Sequence, residues 1–290
     1  MKDSNKVLVI GGGGREHAII HKLKESDKVS KIYCAPGNGG IARDAECVPI
    51  GVMEFDKLVD FAKSNEIDMV MVAPDDPLAA GAVDAFENAG IRAFGPNKRA
   101  AIIEGSKAFS KDLMKKYNIP TAKYEVFSNS AEAIGYIKEQ DTYPIVVKAD
   151  GLALGKGVII AETFEDAEKA VHEIMDDKVF GSAGGKVVIE EFLTGPEISV
   201  LAFTDGKTIK PMVSAQDHKR AFDNDKGPNT GGMGTFSPSR IYTDELADEC
   251  MKNIFIPTMN AMNSENRTFK GVLYFGLMKT PDGVKVIEYN

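Results

Sequence analysis

The sequence predicts an α/β domain built on a parallel sheet, followed by an α+β domain whose strands run antiparallel. Three observations carry this reading. Over the first hundred residues, short apolar β runs alternate with helical patterns; the alternation breaks at Ile119-Pro120-Thr121; and from Tyr124 onward β runs come as close neighbours. At 290 residues the chain can bury two separate cores.

In the first domain β runs fall at 7–10, 31–35, 69–73 and 92–95, with helical patterns at 17–25, 55–64 and 79–89. Strand, helix, strand in repetition implies crossover connections, and ligand sites in such sheets lie at the carboxyl ends of the strands. Three exits therefore open on one edge: the glycines 11–14, the turn Pro36-Gly37-Asn38-Gly39-Gly40, and Pro74-Asp75-Asp76-Pro77. The first resembles a dinucleotide turn, but the spacing G-x-G-x-x-G fails, because Glu16 or His17 occupies the third glycine's place. No acid ends the second strand to accept ribose hydroxyls. Two glycine turns on adjacent strands suit a small anion or a sugar phosphate; a tight turn without ligand is the plain alternative. Asp75 and Asp76 either start the next helix or touch that ligand.

A helical pattern at 99–117 leads to the break. Beyond it come a β run from Tyr124, a helix at 131–139, β runs at 145–148 and 157–161, a helix at 164–175 and the strand VVIEEF at 187–192. The glycine-rich loop between the paired β runs is not a P-loop: three residues, not four, separate Gly151 from Gly155, and Gly157 follows Lys156 where a hydroxyl is needed. It joins two strands, so it reads as a flap whose amides and Lys156 close over phosphates. Lys148 sits in an apolar run where a cation needs an anion unless it snorkels to water. Glu190, Glu191 and Glu197 need donors, which an adenine amino group and ribose hydroxyls would supply, unless they are solvated edge carboxylates. Glu288 and Asn290 lie two apart, on one strand face, and are hard oxygen donors suited to Mg²⁺ on nucleotide phosphates. The polar stretch from Asp217 to Gly232 suits an amino acid together with a phosphoribosyl group, or is a solvated loop.

A formal net charge of -8 argues against nucleic-acid or anionic-membrane binding. Three cysteines without C-x-x-C spacing indicate neither a disulfide framework nor zinc, which fits the cytoplasm. The apolar run after Met1 is too short for a signal peptide, and no segment reads as a membrane span.

In order, VIGGGGREHAI, APGNGG, AFGP, EGSKAF, IPTA, VVKADGLALGKGV, VIEEFLTGPE, QDHKRAFDNDKGPNTGGMGTFSP, GVLYFGLM and KVIEYN resemble the phosphoribosylamine glycine ligase (glycinamide ribonucleotide synthetase) family of ATP-grasp enzymes, which act in purine biosynthesis. The resemblance implies a pre-ATP-grasp domain over 1–101, a linker helix over 102–121, and an ATP-grasp domain with a small lobe over 122–193 and a large lobe over 194–290. That large lobe is incomplete at the C-terminus, because the family continues past the asparagine with Arg-Phe-Gly-Asp-Pro-Glu and a further domain. It implies phosphoribosylamine bound near Gly12, Gly13, Gly14, Arg15, Asn38 and Gly39. ATP is expected between the lobes, its phosphates held by Lys107, Lys148 and Lys156 with Gly155 and Gly157. The backbone of Glu191 and Leu193 would read adenine, Glu190 would lie beside the base, and Glu197 on the ribose. Asp217, Lys219, Arg220, Asn229, Thr230 and Gly231 are implied substrate contacts, and Glu288 and Asn290 ligands for Mg²⁺ or Mn²⁺. The implied substrates are ATP, glycine and 5-phosphoribosylamine, with no protein nucleophile, and His218 is not needed as a base. Where the family has Gly-Pro-Glu, this chain has Ala73-Pro74-Asp75-Asp76. Another ATP-grasp carboxylate–amine ligase would share the ATP residues, and a nucleotide-binding module without turnover is the non-enzyme reading. A dinucleotide-dependent oxidoreductase is disfavoured by the failed glycine spacing.

Overall fold

The computed structural model describes residues 4–153, 157–223, 226–230 and 232–290. The chain forms two compact units, Met1–Ala101 with Phe269–Gly271, and Ile102–Thr268 with Val272–Asn290.

The first unit runs β1 (Asn5–Gly11), α1 (Gly14–Leu23), β2 (Val29–Pro36), a 3₁₀ turn Ile41–Arg43, β3 (Glu46–Cys47), α2 (Phe55–Ser64), β4 (Met69–Val72), α3 (Asp75–Ala80), α4 (Ala82–Asn88) and β5 (Ala93–Phe94). Its sheet has the order β3-β2-β1-β4-β5, and every pairing is parallel. A sheet covered on both faces needs a central strand apolar on both, and β1 supplies it. Leu8 and Ile10 enter one core with Leu58, Val70 and Phe86, while Val7 and Val9 enter another with Ile20, Ile32 and Ile41. Each such fully buried side chain contributes about 1.5–3 kcal/mol. The helix expected at 79–89 is two helices, broken at Gly81, whose φ of +102° lies in the left-handed region open to glycine. α3 starts four residues early because Asp75 and Asp76 occupy its first turn, where the helix dipole favours acids.

Helix α5 (Lys98–Gly105) leads into the second unit. There α6 (Lys107–Lys116), β6 (Tyr124–Phe127), α7 (Ser130–Gln140), β7 (Ile145–Ala149), β8 (Val158–Ala161), α8 (Phe164–Met175), a 3₁₀ turn Gly181–Gly185 and β9 (Val187–Glu191) form an antiparallel sheet of order β6-β9-β7-β8. Helices α7 and α8 pack on it through Ala133, Ile137, Val171 and Ile174 against Ile145, Val147 and Ile189. The single helix expected at 99–117 is interrupted at Ser106, which takes an extended conformation and caps α6 by accepting the Phe109 N–H at 3.1 Å.

From there the chain gives β10 (Glu197–Thr204), β11 (Ile209–Pro211), β12 (Gln216–Asp217), β13 (Arg220–Phe222), β14 (Lys226–Asn229), β15 (Thr235–Phe236) and α9 (Asp244–Cys250). A π turn Met251–Phe255 follows, then α10 (Ile256–Ser264), β16 (Gly271–Thr280) and β17 (Gly283–Tyr289). A second sheet orders β11-β10-β16-β17, and the polar stretch carries two short antiparallel pairs, β12 with β15 and β13 with β14. β17 holds a bulge: Gly276 faces Glu288 and Leu277 faces Val286, so Ile287 is the extra residue. Before it Val284 and Val286 are buried; after it Tyr289 is buried, and Glu288 and Asn290 turn to the half-exposed side. Among the described residues no helix is long and apolar enough to cross a membrane.

Candidate functional site

In the first unit the three strand exits meet. Asn38, past β2, donates from Nδ2 to the Gly12 carbonyl at 2.7 Å, and its Oδ1 accepts the N–H groups of Gly40 and Ile41 at 2.8 and 2.9 Å. Arg15, on the first turn of α1, donates to the Ala73 carbonyl at 3.0 Å and to Asp75 at 3.1 Å, past β4. Gly12 is required by packing alone, since a Cβ there would lie 2.7 Å from the Gly37 carbonyl oxygen. Gly14 and Gly39 meet nothing within 4 Å, so the chain's own packing does not demand glycine at either. The sequence reading offered the glycine amides to a phosphate, but the Gly13 N–H is already taken by Glu16. That side chain is buried and turns a carboxylate back onto the helix start, a reciprocal cap worth making where the first amides lack partners. What remains at this edge is Gly14, the Arg15 guanidinium and the exposed Asn38-Gly39 turn.

In the second unit, most of the lysines and acids singled out from sequence gather around β7, β9 and β17. Asp150 explains how Lys107 is aimed. Its carboxylate accepts the Ser106 hydroxyl at 2.9 Å and the Ala108 N–H at 2.7 Å, and its carbonyl accepts the Lys107 N–H at 2.8 Å. The Lys107 ammonium donates to the Gly151 carbonyl at 3.1 Å, at the root of the glycine loop. Burial lowers its pKa, an effect Glu288 opposes and Lys148 reinforces, so these three charges share one neighbourhood.

Lys148, on β7, is buried and pairs with Glu190 Oε1 of β9 at 3.0 Å; its ammonium also lies 3.5 Å from the Ile287 carbonyl. The other oxygen of Glu190 pairs at 2.8 Å with Lys111 of α6, a residue not singled out from sequence. The partners that sequence reasoning sought in a ligand are thus partly within the chain. Burial drives the Glu190 pKa up, yet Lys148 and Lys111 hold it below the usual carboxylate value. Burial also pushes Lys111 down to about 8 against the pull of Glu190.

Glu191 is held by the Lys123 N–H and the Lys285 ammonium, each at 3.0 Å, and Leu193 follows half-buried beyond the end of β9. Glu197 at the start of β10 pairs with Lys219 at 2.8 Å. Burial would depress the Lys219 pKa, but Glu197 overrides it and raises the value above the usual lysine range, and Tyr274 and Glu288 act in the same direction. Thr230 fixes the Lys219 backbone, donating its N–H and hydroxyl to that carbonyl at 2.7 and 2.9 Å. Arg220 turns to its own hairpin, donating to the Gly227 carbonyl at 2.8 Å, and Asn229 pairs with it across β13 and β14. Asp217 keeps one buried oxygen without a partner among the described residues. Gly157 is glycine for space, as a Cβ would lie 2.6 Å from that of Ala153. Gly155, Lys156 and Gly231 lie outside the described residues.

Sequence reasoning missed Lys111, Asp150 and Tyr274. For Lys111 a signal exists: it lies three residues from both Ala108 and Met114, on the buried face of α6. Tyr274 carries none beyond its apolar strand; its hydroxyl meets Ser199 at 3.1 Å. Glu288 and Asn290 offer two oxygen donors, and no group of three His, Cys, Asp or Glu gathers among the described residues. Two ligands suit a cation that takes its other ligands from phosphate and water, as Mg²⁺ does. A cavity of 530 Å³ along β2 and the 3₁₀ turn, lined by Lys24, Lys31, Arg43, Asp44 and Glu46, holds none of the residues singled out from sequence.

Two family models match the chain: the phosphoribosylglycinamide synthetase N domain over residues 5–104 and the phosphoribosylglycinamide synthetase ATP-grasp (A) domain over 105–290. Among curated proteins it is 54% identical over 284 residues to a phosphoribosylamine–glycine ligase of Halalkalibacterium halodurans, covering 98% of this chain and 66% of that protein. It is 50% identical over 285 residues to that of Clostridium acetobutylicum, covering 98% and 68%. Among solved structures it is similar to the phosphoribosylamine–glycine ligase of Thermotoga maritima, with a TM-score of 0.83, 31% identity, and 98% and 68% of the two chains covered. The biotin carboxylase of Campylobacter jejuni, with a TM-score of 0.77 and 16% identity over 99% and 65% of the two chains, shares the fold. The chain thus spans about two thirds of the length of the curated relatives it matches.

Proposed function

The chain belongs to the phosphoribosylglycinamide synthetase family, and from that membership we propose that it serves the ATP-dependent ligation of glycine to 5-phosphoribosylamine, giving glycinamide ribonucleotide, ADP and phosphate. The supporting observation is the gathering of Lys107, Lys148 and Lys219 with Glu288 in one partly buried neighbourhood of the second unit. Lys148 and Lys219 already pair with Glu190 and Glu197, while the Lys107 ammonium donates to a backbone carbonyl, and ATP phosphate is the anion this reading supplies beside it.

In this reading the glycine carboxylate takes the γ-phosphoryl group of ATP to form glycyl phosphate, and the amine of phosphoribosylamine then displaces phosphate from it. Lys107 and Lys148, with Lys156 of the flap, bind ATP phosphates. The segment from Glu190 to Leu193 takes the base, and Glu197 the ribose. Lys219 and its neighbours Asp217, Arg220, Asn229, Thr230 and Gly231 hold glycine and the amine. Gly14, Arg15, Asn38 and Gly39 hold the sugar phosphate, with Gly12 and Gly13 shaping the turn. Glu288 and Asn290 would hold Mg²⁺ or Mn²⁺, which when bound draws charge from the phosphates. No protein group makes a covalent bond, so rate comes from orientation, worth about 7–11 kcal/mol when reactants are well aligned, and from fixed positive charge.

The test is phosphate release from ATP and Mg²⁺ with glycine and 5-phosphoribosylamine supplied together or singly. Release that requires both supports the ligase; release with a different carboxylate or amine reassigns the chain to another ligase of the same fold. Saturable ATP binding without release in any mixture marks a nucleotide-binding unit.

A further inference from the structure

Lys111 is 2% exposed, and its ammonium is held by two polar partners and an aromatic ring. Glu190 Oε2 lies at 2.8 Å, the Thr121 hydroxyl oxygen accepts at 2.8 Å, and the ring of Tyr124 lies 5.9 Å away on another side. Thr121 passes the connection on, donating to the Val286 carbonyl at 2.7 Å, two residues before Glu288 on β17. One ammonium on α6 is therefore tied to β9, which carries Glu190, and through one hydroxyl to β17.

The charges make this more than a structural tie. Glu190 faces two lysines, one on each oxygen. Alone with Lys148 it would form a closed neutral pair, and Lys148 would have little charge left for another anion. With Lys111 on the second oxygen, two ammonium groups share one carboxylate and the trio keeps one positive charge in excess. Lys148 is the member near Lys107 and β17, the side on which Glu288 lies. In a weakly screened interior an excess charge of this kind acts over several ångströms.

We propose that Lys111 is a positioning residue for the polyphosphate of the nucleotide: by occupying the far oxygen of Glu190 it frees the charge of Lys148 to act on phosphate, and through Thr121 it fixes the strand that carries Glu288. This rests on the ATP reading given above and extends it to a residue that does not itself touch the nucleotide.

The test compares ATP with AMP, both titrated into the whole chain with Mg²⁺ and followed by calorimetry. The readout is the ratio of their affinities, because a loosened fold or an altered base pocket weakens both alike, whereas lost phosphate charge weakens ATP alone. In Lys111→Met the ratio falls by about tenfold or more, the order expected for one unit charge at an intermediate dielectric. In the double variant Lys111→Met/Glu190→Gln, where Lys148 no longer faces a carboxylate, the ratio returns to within about threefold of the parent. An unchanged ratio in the single variant, or a double variant as weak as the single one, overturns the proposal. Should the single variant not fold, the double variant, which leaves no unpaired carboxylate and in which Lys148 keeps the Ile287 carbonyl, is read directly against the parent. A tenfold fall there is equally fatal. If the parent chain itself binds neither nucleotide, the ATP reading fails, which is a different result from either of these.

Discussion

At the scale of single residues, the two glycine turns separate two reasons for being glycine. Gly12 lies too close to the Gly37 carbonyl for any side chain, so Gly12→Ala is expected to cost about 1–3 kcal/mol in denaturant unfolding. Gly14 meets nothing and opens α1. Gly14→Ala should leave stability unchanged or raise it by up to about 1 kcal/mol, while weakening the binding of ribose 5-phosphate, used as a stable probe, at least tenfold. Equal binding by that variant would remove Gly14 from the sugar-phosphate site. Glu190 gives a pH prediction. Its pKa is held below the unfolded value by two lysines, so its contribution is complete above about pH 4.5 and is lost as pH falls through the lower folded value. Thermal midpoints measured from pH 7 to pH 3 should therefore fall less steeply in Glu190→Gln than in the parent, although the variant starts lower because two buried lysines lose their shared partner.

At the scale of elements, the break between α5 and α6 shows how a short motif is aimed. Ser106 caps α6 and Asp150 accepts from both Ser106 and Ala108. Ser106→Ala is expected to cost about 1 kcal/mol by urea denaturation, and Asp150→Ala more, since two donors lose one acceptor. Both should lower ATP affinity with Lys107 untouched. Four of the five strands of the first unit were legible because apolar period and glycine punctuation agree there, the two-residue edge strand β3 being too short to carry a period. Helix α2 in that unit and α8 in the second fall on the residues their patterns indicate. The sequence did not reveal the breaks at Gly81 and Ser106, where one residue's backbone conformation overrides a continuous helical pattern. Nor did it give β12 to β15, whose two- to four-residue strands are mostly polar and lack a period to read. Of the candidate site, most of the charged residues were legible and their mutual pairing was not: that Glu190 of β9 joins Lys148 of β7 to Lys111 of α6, or that Glu197 joins Lys219, depends on contacts between elements apart in sequence.

At the scale of the whole molecule, the chain holds two units with separate hydrophobic cores. The residues proposed for the nucleotide all lie in the second unit, and those proposed for the sugar phosphate in the first. In scanning calorimetry ATP with Mg²⁺ should raise the unfolding transition of the second unit by about 2.7 kcal/mol at a hundred times its dissociation constant, and ribose 5-phosphate that of the first. A nucleotide that moved only the first unit would refute the assignment of Lys107 and Lys148. The extra residue in β17 bears on how such a chain can vary. Were the strand regular, Glu288 and Asn290 would fall in step with Val284 and Val286, inside the apolar core. Substitutions at position 287 leave that half-step intact. Even deletion of Ile287, which removes the bulge, keeps Glu288 and Asn290 on the face opposite Val284 and Val286, whereas straightening the strand with Ile287 retained turns both inward. What variation cannot touch here is the cross-strand pairing of Glu288 with Gly276 and of Val286 with Leu277, whatever stands between them.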